Sequence, residues 1–424
     1  MKKYDSYKDS GIEWIGEIPE HWAVSRIKYY LDYQKGKNPK EINFDKGSTS
    51  EIYLAMDFLR GEPRQILYVD DTDGYVKVDE NEILLLWDGS NAGEFILSKR
   101  GILSSTMAVI YLDNIKKRYS WYYLKNFEPR LKENTIGMGI PHVNGEELKN
   151  GYITIPPISE QTAIAYFLDR KTSEIDDIIA DKKRLLELYE EEKTAIINQA
   201  VTKGLDPNVP MKDSGIEWLG EIPEHWEVKK LKQFTKVLTG STPKSTETSY
   251  WNGNINWVTT DDLGKLDGMY IYESRRKISE EGFKNSGTYM APKGSVVIST
   301  RAPIGHLGIL KIEACTNQGC KTIVGNLKFN TEFLYYHFYI AKGILNSYGV
   351  GTTFLELPTQ TLKDYLVPFP SLSEQQSIVH HIESECSKID FKKARTEELI
   401  ELLTEYRTAL ISEAVTGKIK VTED

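Results

Sequence analysis

One stretch of sequence decides the fold because it occurs twice. Residues 8–22 read KDSGIEWIGEIPEHW and residues 212–226 read KDSGIEWLGEIPEHW, with Ile15 against Leu219 as their one difference. A repeat of this length and separation indicates a duplicated structural unit rather than chance similarity. We therefore expect two copies of one unit in the 424-residue chain.

A second pair of similar segments follows each copy at a different offset. Residues 155–161 read IPPISEQ and residues 369–375 read FPSLSEQ, and the alignment continues from there without a gap to an Ala-Val-Thr triplet in each copy. The changed offset means that the intervening segments differ in length and in sequence. Two similar ends thus enclose two dissimilar middles, residues 23–155 and residues 227–369.

The similar carboxy-terminal blocks are predicted to be helical. Ser159 and Ser373 are N-cap candidates, and Ser373 with Gln376 matches a capping box. A further Ser-x-x-Asp start signal occurs in each block, at Ser173 and at Ser387. The pattern predicts a short helix followed by a long one in each copy.

Apolar residues recur along both long helices at the spacing of a coiled-coil seam. They are Ile175, Ile178, Leu185, Tyr189 and Ile196 in the first and Ile389, Leu399, Leu403, Tyr406 and Leu410 in the second. Polar residues interrupt the seam at Lys182, Glu192, Lys392 and Thr396. Pairing of the helices is favoured over separate packing on their own domains, because helices of equal length can bury their stripes on each other. The glycines expected to end them as C-caps are Gly204 and Gly417.

The dissimilar middles are each predicted to form a mixed α/β domain. Apolar runs that end in Gly, Asn or Asp clusters are typical of strands. Such runs occupy residues 82–87, 107–112 and 295–299. Shorter helices are predicted at residues 119–126 and 331–345.

The composition limits the classes of protein to consider. With 40% hydrophobic residues, the chain can bury at least one sizeable core. The longest apolar run, Ile83 to Trp87, is too short to span a membrane, and the polar start of the chain does not resemble a signal peptide. Cys315, Cys320 and Cys386 lack the spacing of a zinc site and are expected to be reduced thiols in the cytoplasm.

The net charge of −9 at first argues against a nucleic-acid partner. However, residues 227–369 contain 17 Lys and Arg against 12 Asp and Glu, and residues 23–155 contain 18 against 19. The acidic excess therefore lies in the helical and linking segments. This distribution permits DNA binding without demonstrating it.

The sequence predicts no catalytic residue and no metal site. An adenine methyltransferase needs an [NDS]-P-P-[FYW] loop, and the one Pro-Pro of the chain lies in Ile155 to Ile158. The nearest match to a phosphate loop, Gly282 to Thr288, lacks its lysine. No Pro-Asp pair begins a nuclease motif. The histidines His21, His225, His380 and His381 are expected to pack or cap rather than to bind metal. A self-contained methylating enzyme is therefore disfavoured.

Taken together, the motifs resemble the DNA-specificity subunit of Type I restriction-modification systems over nearly the whole chain. They are G-I-E-W-[IL]-G-E-I-P-E-H-W ahead of each middle, [IL]-S-E-Q at the start of each helical block and A-V-T near its end. The second middle adds residues 239–243 (TGSTP), Tyr250-Trp251, Ile255 to Val258 and residues 314–319 (ACTNQG). In the first middle, Asp88-Gly89-Ser90 stands where such domains often have an Arg-x-Gly-like loop.

The resemblance implies an α/β (α+β) fold built as a pseudo-two-fold internal duplication. Two globular target-recognition domains would be separated by two long antiparallel helices that form a coiled coil. Expected limits are residues 1–155 and 206–369 for the recognition domains, and residues 156–205 and 370–424 for the helical spacers.

The resemblance also implies a non-catalytic role in a complex. The chain would read a bipartite, asymmetric target on double-stranded DNA and bind no cofactor itself. The implied partners are two methyltransferase subunits, which use S-adenosylmethionine, and restriction subunits that use ATP and Mg²⁺. The complex would be cytoplasmic, with no membrane contact.

Candidate DNA-binding residues follow from the chemistry of DNA. Lys and Arg bind phosphates, while Arg, Lys, Asn, Gln, Ser and Thr on loops read base edges. In the second domain the candidates are Lys244, Arg275, Arg276, Lys277, Arg301, Asn317, Gln318 and Lys321. In the first they are Lys35, Lys37, Ser90, Asn91, Lys99, Arg100 and His142. Arg301 directly follows a predicted strand, which suits a base- or phosphate-reading arginine, although a plain surface arginine is the alternative.

The repeated tryptophans are expected to pack the domains onto the helices. They are Trp14, Trp22, Trp218 and Trp226.

A different class of protein also fits the duplication. A coiled-coil scaffold or adaptor with acidic helices would join other proteins without binding DNA. The two hypotheses differ in one measurable property, because DNA binding through phosphate contacts weakens steeply with salt. The scaffold predicts no DNA binding at any salt concentration.

Overall fold

A computed structural model of the chain describes residues 2–137, 139–326, 329–351 and 355–421. These residues form two compact units. Unit 1 comprises Met1–Lys183 with Glu397–Asp424, and unit 2 comprises Arg184–Thr396. Each unit therefore combines one dissimilar middle with parts of both long helices.

The recognition-type domain of unit 1 alternates short strands with three helices. In chain order the elements are β1 Tyr7–Asp9, β2 Glu17–Pro19, β3 Ala23–Arg26, β4 Leu31–Lys35, β5 Glu51–Leu54, α1 Met56–Leu59, β6 Tyr68–Val69, β7 Lys77–Val78, β8 Ile83–Leu86, β9 Phe95–Leu97, β10 Gly101–Leu103, β11 Met107–Leu112, α2 Lys117–Glu133, α3 Gly145–Asn150 and β12 Tyr152–Ile155. The main sheet has the antiparallel order β4-β11-β8-β9, and a second sheet has the order β6-β5-β10-β7.

The first long helix, α4, spans Ile158–Lys203, and the elements of unit 2 follow it. They are β13 Met211–Asp213, β14 Glu221–Pro223, β15 Glu227–Lys230, β16 Thr235–Thr239, β17 Trp251–Val258, α5 Thr260–Gly264, β18 Tyr270–Ile271, β19 Lys277–Ile278, α6 Glu280–Lys284, β20 Val296–Ser299, β21 Leu307–Leu310, β22 Cys315–Thr316, β23 Cys320–Gly325, α7 Thr331–Ile340, α8 Lys342–Ser347, α9 Thr359–Asp364 and β24 Leu366–Phe369. The second long helix, α10, spans Leu372–Val415. The main sheet has the order β16-β23-β20-β21-β18, and a smaller one has the order β19-β17-β22.

The predicted strands are continuous apolar runs because both of their faces are buried. In β8, Ile83 and Leu85 pack in one cluster while Leu84 and Leu86 pack in another. The same period of two recurs in β20, where Val297 lies in a different cluster from its neighbours. All three predicted strands are confirmed, at 83–86, 107–112 and 296–299. The predicted helices are confirmed as α2 and as the successive α7 and α8.

Each long helix is continuous, so the prediction of a short helix followed by a long one is wrong. No glycine or proline interrupts residues 158–203 or 372–415, and the Ser-x-x-Asp signals lie in mid-helix. The predicted N-caps and capping box are also wrong, since Ser159 and Ser373 lie inside the first turn. The Ser371 hydroxyl accepts the backbone N–H of Glu374 instead, at 3.3 Å.

The predicted helix ends are confirmed. Gly204 and Gly417 lie just beyond the last helical residues, each with φ of 74°. This left-handed conformation favours glycine, which has no Cβ to clash.

The seam of the long helices differs from the prediction in detail. The more protected positions of α4 are Leu168, Thr172, Ile175, Ile179, Lys182, Leu186, Tyr189, Lys193 and Ile197. Those of α10 are Val379, Ile382, Cys386, Ile389, Lys393, Thr396, Ile400, Leu403, Arg407 and Leu410. The steps of three and four are those of a heptad pattern. Three predicted seam residues, Ile178, Leu399 and Tyr406, are exposed, so their assignment was wrong.

Cations within the seam form ion pairs with the other helix. In unit 2, Lys193 lies 2.8 Å from Asp390, and Lys393 pairs with Glu190. The pairing therefore runs antiparallel in unit 2. In unit 1, Arg407 Nε lies 2.8 Å from Asp176. The Arg407–Asp176 and Lys193–Asp390 pairs occupy equivalent positions in the aligned helical blocks, as expected of a duplicated unit.

Candidate nucleic-acid interface

The repeated His-Trp and Ser-Glu-Gln motifs contact each other in both units. In unit 1, Trp22 Nε1 donates to Glu160 at 3.0 Å, and His21 lies 2.6 Å from the same carboxylate. In unit 2, Trp226 Nε1 donates to Glu374 at 2.9 Å. His225 lies 3.1 Å from that carboxylate. The repeated motifs thus fasten each domain to the start of a long helix.

The glutamine of the same motif holds the domain's own helix. Gln161 accepts the N–H of Lys116, the residue before α2, at 2.8 Å and donates to the Pro156 carbonyl at 2.9 Å. Gln375 does the same before α7, with the Asn330 N–H at 2.7 Å and the Pro370 carbonyl at 2.9 Å. The predicted packing of Trp22 and Trp226 onto the long helices is confirmed. The other two tryptophans pack inside the domains instead, Trp14 near Tyr123 and Trp218 near His337.

Three loops meet at one end of each main sheet. In unit 1, β4 and β8 end where β11 begins, because Lys35 pairs with Ala108 and Leu86 pairs with Met107. The loops that follow β4 and β8 therefore lie beside the loop that precedes β11. In unit 2 the same register brings together the ends of β16 and β20 and the start of β23.

A contact between an aspartate and a histidine marks this end of the sheet in unit 1. Asp88, just after β8, lies 2.5 Å from His142 Nδ1, and both side chains are partly exposed. Two backbone hydrogen bonds of 2.9 Å fix the chain beneath them. The Gly89 N–H donates to the Pro141 carbonyl, and the Val143 N–H donates to the Trp87 carbonyl. Lys35 Nζ lies 4.1 Å from the centre of the Trp87 ring.

The corresponding contact in unit 2 is an ion pair, with hydrogen-bond donor and acceptor exchanged. Arg301, just after β20, has its Nε 2.9 Å from Glu356. The backbone bonds are the same in kind: Ala302 N–H donates to the Leu355 carbonyl at 3.1 Å, and Leu357 N–H donates to the Thr300 carbonyl at 2.7 Å. Arg301 thus occupies the place of Asp88, and Glu356 the place of His142.

Polar side chains join the neighbouring loops in both units. Ser105 donates to Asn38 at 2.7 Å in unit 1. Thr242 donates to Gln318 between the same two loops of unit 2. Both contacts link the loop after the first strand of the sheet to the loop before its central strand.

A buried lysine lies behind the ion pair of unit 2. Lys321 is 4% exposed, and its Nζ lies 3.5 Å from the Gln318 carbonyl. Burial lowers the pKa of Lys321; the charge of Glu356 opposes this effect and that of Arg301 adds to it. Within the same loop, the buried side-chain oxygen of Asn317 accepts no hydrogen bond from the described residues. The structure therefore brings together Arg301, Asn317, Gln318 and Lys321 of the sequence-predicted set.

Other predicted residues of unit 2 lie around β17 and β19. Arg275 is held by Asp261 and by Asp262, the latter at 3.1 Å. Arg276 lies over the Trp251 ring at 4.1 Å. Lys277 of β19 pairs with Asn256 of β17. The Lys244 carbonyl accepts a hydrogen bond from Trp251 Nε1 at 3.3 Å. Arg275, Arg276 and Lys277 therefore contact other groups than Arg301 does, whereas Lys244 belongs to the loop after β16.

In unit 1 the predicted residues also divide into two sets. Lys35, Lys37, Ser90, Asn91 and His142 lie on or beside the converging loops. Lys99 instead donates to the Phe58 carbonyl at 2.8 Å, and Arg100 lies 4.0 Å from Glu51. This second pair belongs to the connection between β9 and β10, next to α1.

Sequence reasoning missed five residues of these sheet ends: Asn38, Asp88, Ser105, Thr242 and Glu356. Phosphate binding favours cations over acids, so Glu356 is absent from the sequence prediction and Asp88 enters it only as part of its loop. The available signal was the Gly-x-x-Pro spacing shared by residues 36–39 and 240–243. It places Asn38 and Thr242 at equivalent positions.

Among the residues that the structure describes, no group of three or more His, Cys, Asp or Glu is arranged to hold a metal ion. No helix in the described part of the chain is long and apolar enough to cross a bilayer.

Comparisons with known proteins agree with this architecture. The sequence model of the family described as "Type I restriction modification DNA specificity domain" matches residues 19–188 and again residues 223–401. The MjaVIII specificity subunit of a Type I restriction enzyme from Methanocaldococcus jannaschii is 31% identical, over 95% of this chain and 94% of the relative. The EcoR124I/EcoR124II specificity subunit from Escherichia coli is 21% identical, over 74% of each chain.

Solved structures share the fold. A chain from a structure of a type I R-M system superposes with a TM-score of 0.72 and 15% identity, over 95% of this chain and 99% of the other. The HsdS subunit from Thermoanaerobacter tengcongensis gives 0.53 and 16%, over 95% and 98%. The expected fold, a duplicated α/β unit with long paired helices, is confirmed.

Proposed function

We propose a function from one premise: the chain belongs to the family defined by the Type I restriction modification DNA specificity domain, which it contains twice. The chain supplies DNA sequence specificity to a Type I restriction-modification complex. It is the specificity subunit of that complex, and the chemistry is carried by other subunits.

The observation that carries the proposal is the pair of equivalent sheet ends with unlike side chains. The same backbone hydrogen bonds present Asp88 and His142 in unit 1 but Arg301 and Glu356 in unit 2. Loops that share the same backbone hydrogen bonds but carry different polar side chains can recognise different base sequences. Each domain therefore reads one part of a split, asymmetric target on double-stranded DNA.

The proposed partners are two methyltransferase subunits and the restriction subunits. The repeated motif supports two identical methyltransferase copies, since its outward-facing acids are the same in both units. These exposed acids are Glu13, Glu17 and Glu20 in the first copy and Glu217, Glu221 and Glu224 in the second. S-adenosylmethionine, ATP and Mg²⁺ belong to these partners, and the complex acts on DNA in the cytoplasm.

Methylation mapping tests the proposal. The chain is co-expressed with a methyltransferase subunit of the same type of system, and N6-methyladenine is mapped across the host DNA. The expected result is one split motif whose two parts differ. Methylation without a sequence motif, or with a symmetric one, would contradict the proposal.

Binding measurements separate the proposal from the scaffold alternative. The complex should lose DNA affinity steeply as salt rises, because phosphate contacts release counterions. Arg301→Ala should weaken binding or relax one half-site. Arg184→Ala is the matched control, because Arg184 lies exposed on α4 and pairs there with Glu187. No DNA binding at any salt concentration would favour the scaffold.

A further inference from the structure

The two side-chain pairs at the sheet ends are equivalent in position, with hydrogen-bond donor and acceptor exchanged: Asp88 accepts from His142 in unit 1, and Arg301 donates to Glu356 in unit 2. In each unit the second residue after β8 or β20 forms an isolated antiparallel bridge to its partner, Asp88 to His142 and Arg301 to Glu356. The partner forms a second bridge to a residue six positions earlier, Ile136 or Val350. The backbone therefore fixes both positions in the same way, and only the side chains are exchanged.

The pairs are held by their loops but are easily opened. Between 27% and 48% of each of the four side chains is exposed. Exposed ion pairs contribute little to stability, because water competes with each partner. Either partner can therefore exchange its ion-pair contact for a contact with DNA at small cost.

The spacing of each side-chain pair matches that of groups on a base pair. In the major groove every base pair presents one carbonyl, guanine O6 or thymine O4, beside one amino group, cytosine N4 or adenine N6. These two groups are themselves hydrogen-bonded, about 2.9 Å apart. The facing atoms of the two side-chain pairs are 2.5 and 2.9 Å apart. The N–H donor, from His142 or Arg301, can thus meet the carbonyl while the carboxylate meets the amino group.

We propose that each side-chain pair reads the polarity of one base pair, with its carboxylate on the amino base and its N–H donor on the keto base. Because donor and acceptor are exchanged between the units, the two domains read this polarity in opposite senses relative to their own frameworks. Arg301 can also reach guanine N7, so the second domain favours guanine over thymine as the keto base. This inference rests on the proposed function and names the specificity-determining residues of its two sites.

Exchange of the charges in one unit tests the inference. The double variant Arg301→Glu/Glu356→Arg keeps the net charge and restores an ion pair with the polarity of unit 1. One base pair in one half-site should change from keto·amino to amino·keto, with relative affinity for the two duplexes shifting by roughly 5- to 150-fold. The other half-site should stay unchanged and is the internal control.

A conservative variant tests the inference even if the Arg301→Glu/Glu356→Arg protein does not fold. Glu356→Gln keeps the size of the side chain and gives it both a donor and an acceptor. The same base pair should then become degenerate in the methylation motif. The reversal Glu385→Lys/Lys388→Glu, at an exposed pair of α10 in the same unit, is the matched control and should alter neither half-site.

The outcomes distinguish this inference from the proposed function. A wild-type split motif that both Arg301/Glu356 variants leave unchanged would overturn the inference alone. A change spread over several base pairs would overturn it as well, since one ion pair faces one base pair. Absence of any motif with the wild-type chain would instead reject the proposed function.

Discussion

The two units agree closely where the domain meets the long helix and differ where the main sheet ends. Glu160 and Glu374 accept the indole N–H of Trp22 and Trp226 with nearly the same geometry, at 3.0 and 2.9 Å. At the sheet end, equivalent backbone positions carry side chains of opposite charge. At the junction between each domain and its long helix, the tryptophan is buried and hydrogen-bonded, so it tolerates little change. At the sheet end the side chains are partly exposed, so the fold does not require one particular pair of residues.

This difference teaches why the sequence repeats at some places and not at others. A buried indole N–H needs an acceptor, so the tryptophan and its glutamate must be kept together. An exposed loop residue has water as an alternative partner, so its identity is free to follow another requirement. In this protein that requirement is the DNA base it faces under the proposed function.

The largest expected effect comes from truncating the junction tryptophans. Trp22→Ala and Trp226→Ala should each cost about 3–5 kcal/mol, because both side chains are fully buried. Urea unfolding, with hydrogen exchange used to follow each unit, measures the cost. The exposed Tyr29 supplies the control, and Tyr29→Ala should leave stability almost unchanged. A clear inequality between the two tryptophan variants would break the equivalence of the junctions.

A second comparison concerns Glu160 and Glu374, because Glu160 of unit 1 has one more hydrogen-bond donor beside it than Glu374 of unit 2. Besides the His-Trp pair, Glu160 accepts the hydroxyl of Tyr4 at 2.9 Å. Removing the carboxylate leaves the buried indole N–H without an acceptor in either unit, and in unit 1 the half-buried Tyr4 hydroxyl as well. We therefore expect Glu160→Ala to cost about 3 kcal/mol and Glu374→Ala about 2 kcal/mol. In the Tyr4→Phe background the two costs should become equal. If the difference persisted there, the contact from Tyr4 would not explain it.

The sequence predicted the fold to the extent that the pattern was local. The strand at residues 107–112 and the helix-ending glycines could be located because apolar runs and positive φ are properties of short segments. The helix starts could not be located, because Ser373 and Ser371 both fit the N-cap role. The predicted seam is wrong at Leu399, since the adjacent Ile400 fits a period of 3.5 equally well, and at Tyr406, since the seam position there is a charged residue, Arg407.

The candidate site was harder to predict because it is assembled from distant segments. Arg301 was found from its position after a strand, but its partner Glu356 lies 55 residues further on. The family resemblance placed Asp88 where such domains often have an arginine, but its equivalence with Arg301 could not be read from an alignment, as the middles do not align. Shared backbone hydrogen bonds reveal it in the structure.

The next effect concerns a core position that differs between the units. Tyr123 donates its hydroxyl to the Tyr152 carbonyl at 2.8 Å, whereas the corresponding His337 is fully buried and its ring nitrogens have no partner among the described residues. Burial lowers the pKa of His337 to about 3. The unfolded chain binds a proton near pH 6.5 and the folded chain does not, so stability falls as the pH drops below 6.5.

The pH dependence of unit 2 tests this difference. At about 1.4 kcal/mol per pH unit, the wild type should lose about 2 kcal/mol between pH 8 and pH 5 through this group. His337→Phe should remove that loss, as measured by urea unfolding at several pH values. His380→Gln, at an exposed histidine of the same unit, is the control and should keep the wild-type slope. An equal slope in all three proteins would show that His337 is not responsible.

The smallest effect concerns the buried hydroxyl of Tyr119 in unit 1. It lies 2.8 Å from the Thr154 hydroxyl and 3.1 Å from the Val415 carbonyl, and Thr154 itself donates to that carbonyl at 2.6 Å. In unit 2 the equivalent positions are Phe333 and Pro368, so this polar group is absent from the described core there.

The variant Tyr119→Phe removes one donor and leaves Thr154 to donate to the Val415 carbonyl. We therefore expect a cost of only about 1 kcal/mol, the net value of one hydrogen bond. Thr154→Val in the Tyr119→Phe background should cost more than Tyr119→Phe alone, because Val415 then has no donor. Equal stability of the single and double variants would mean that the carbonyl finds water and that the polar cluster contributes nothing to the difference between the units.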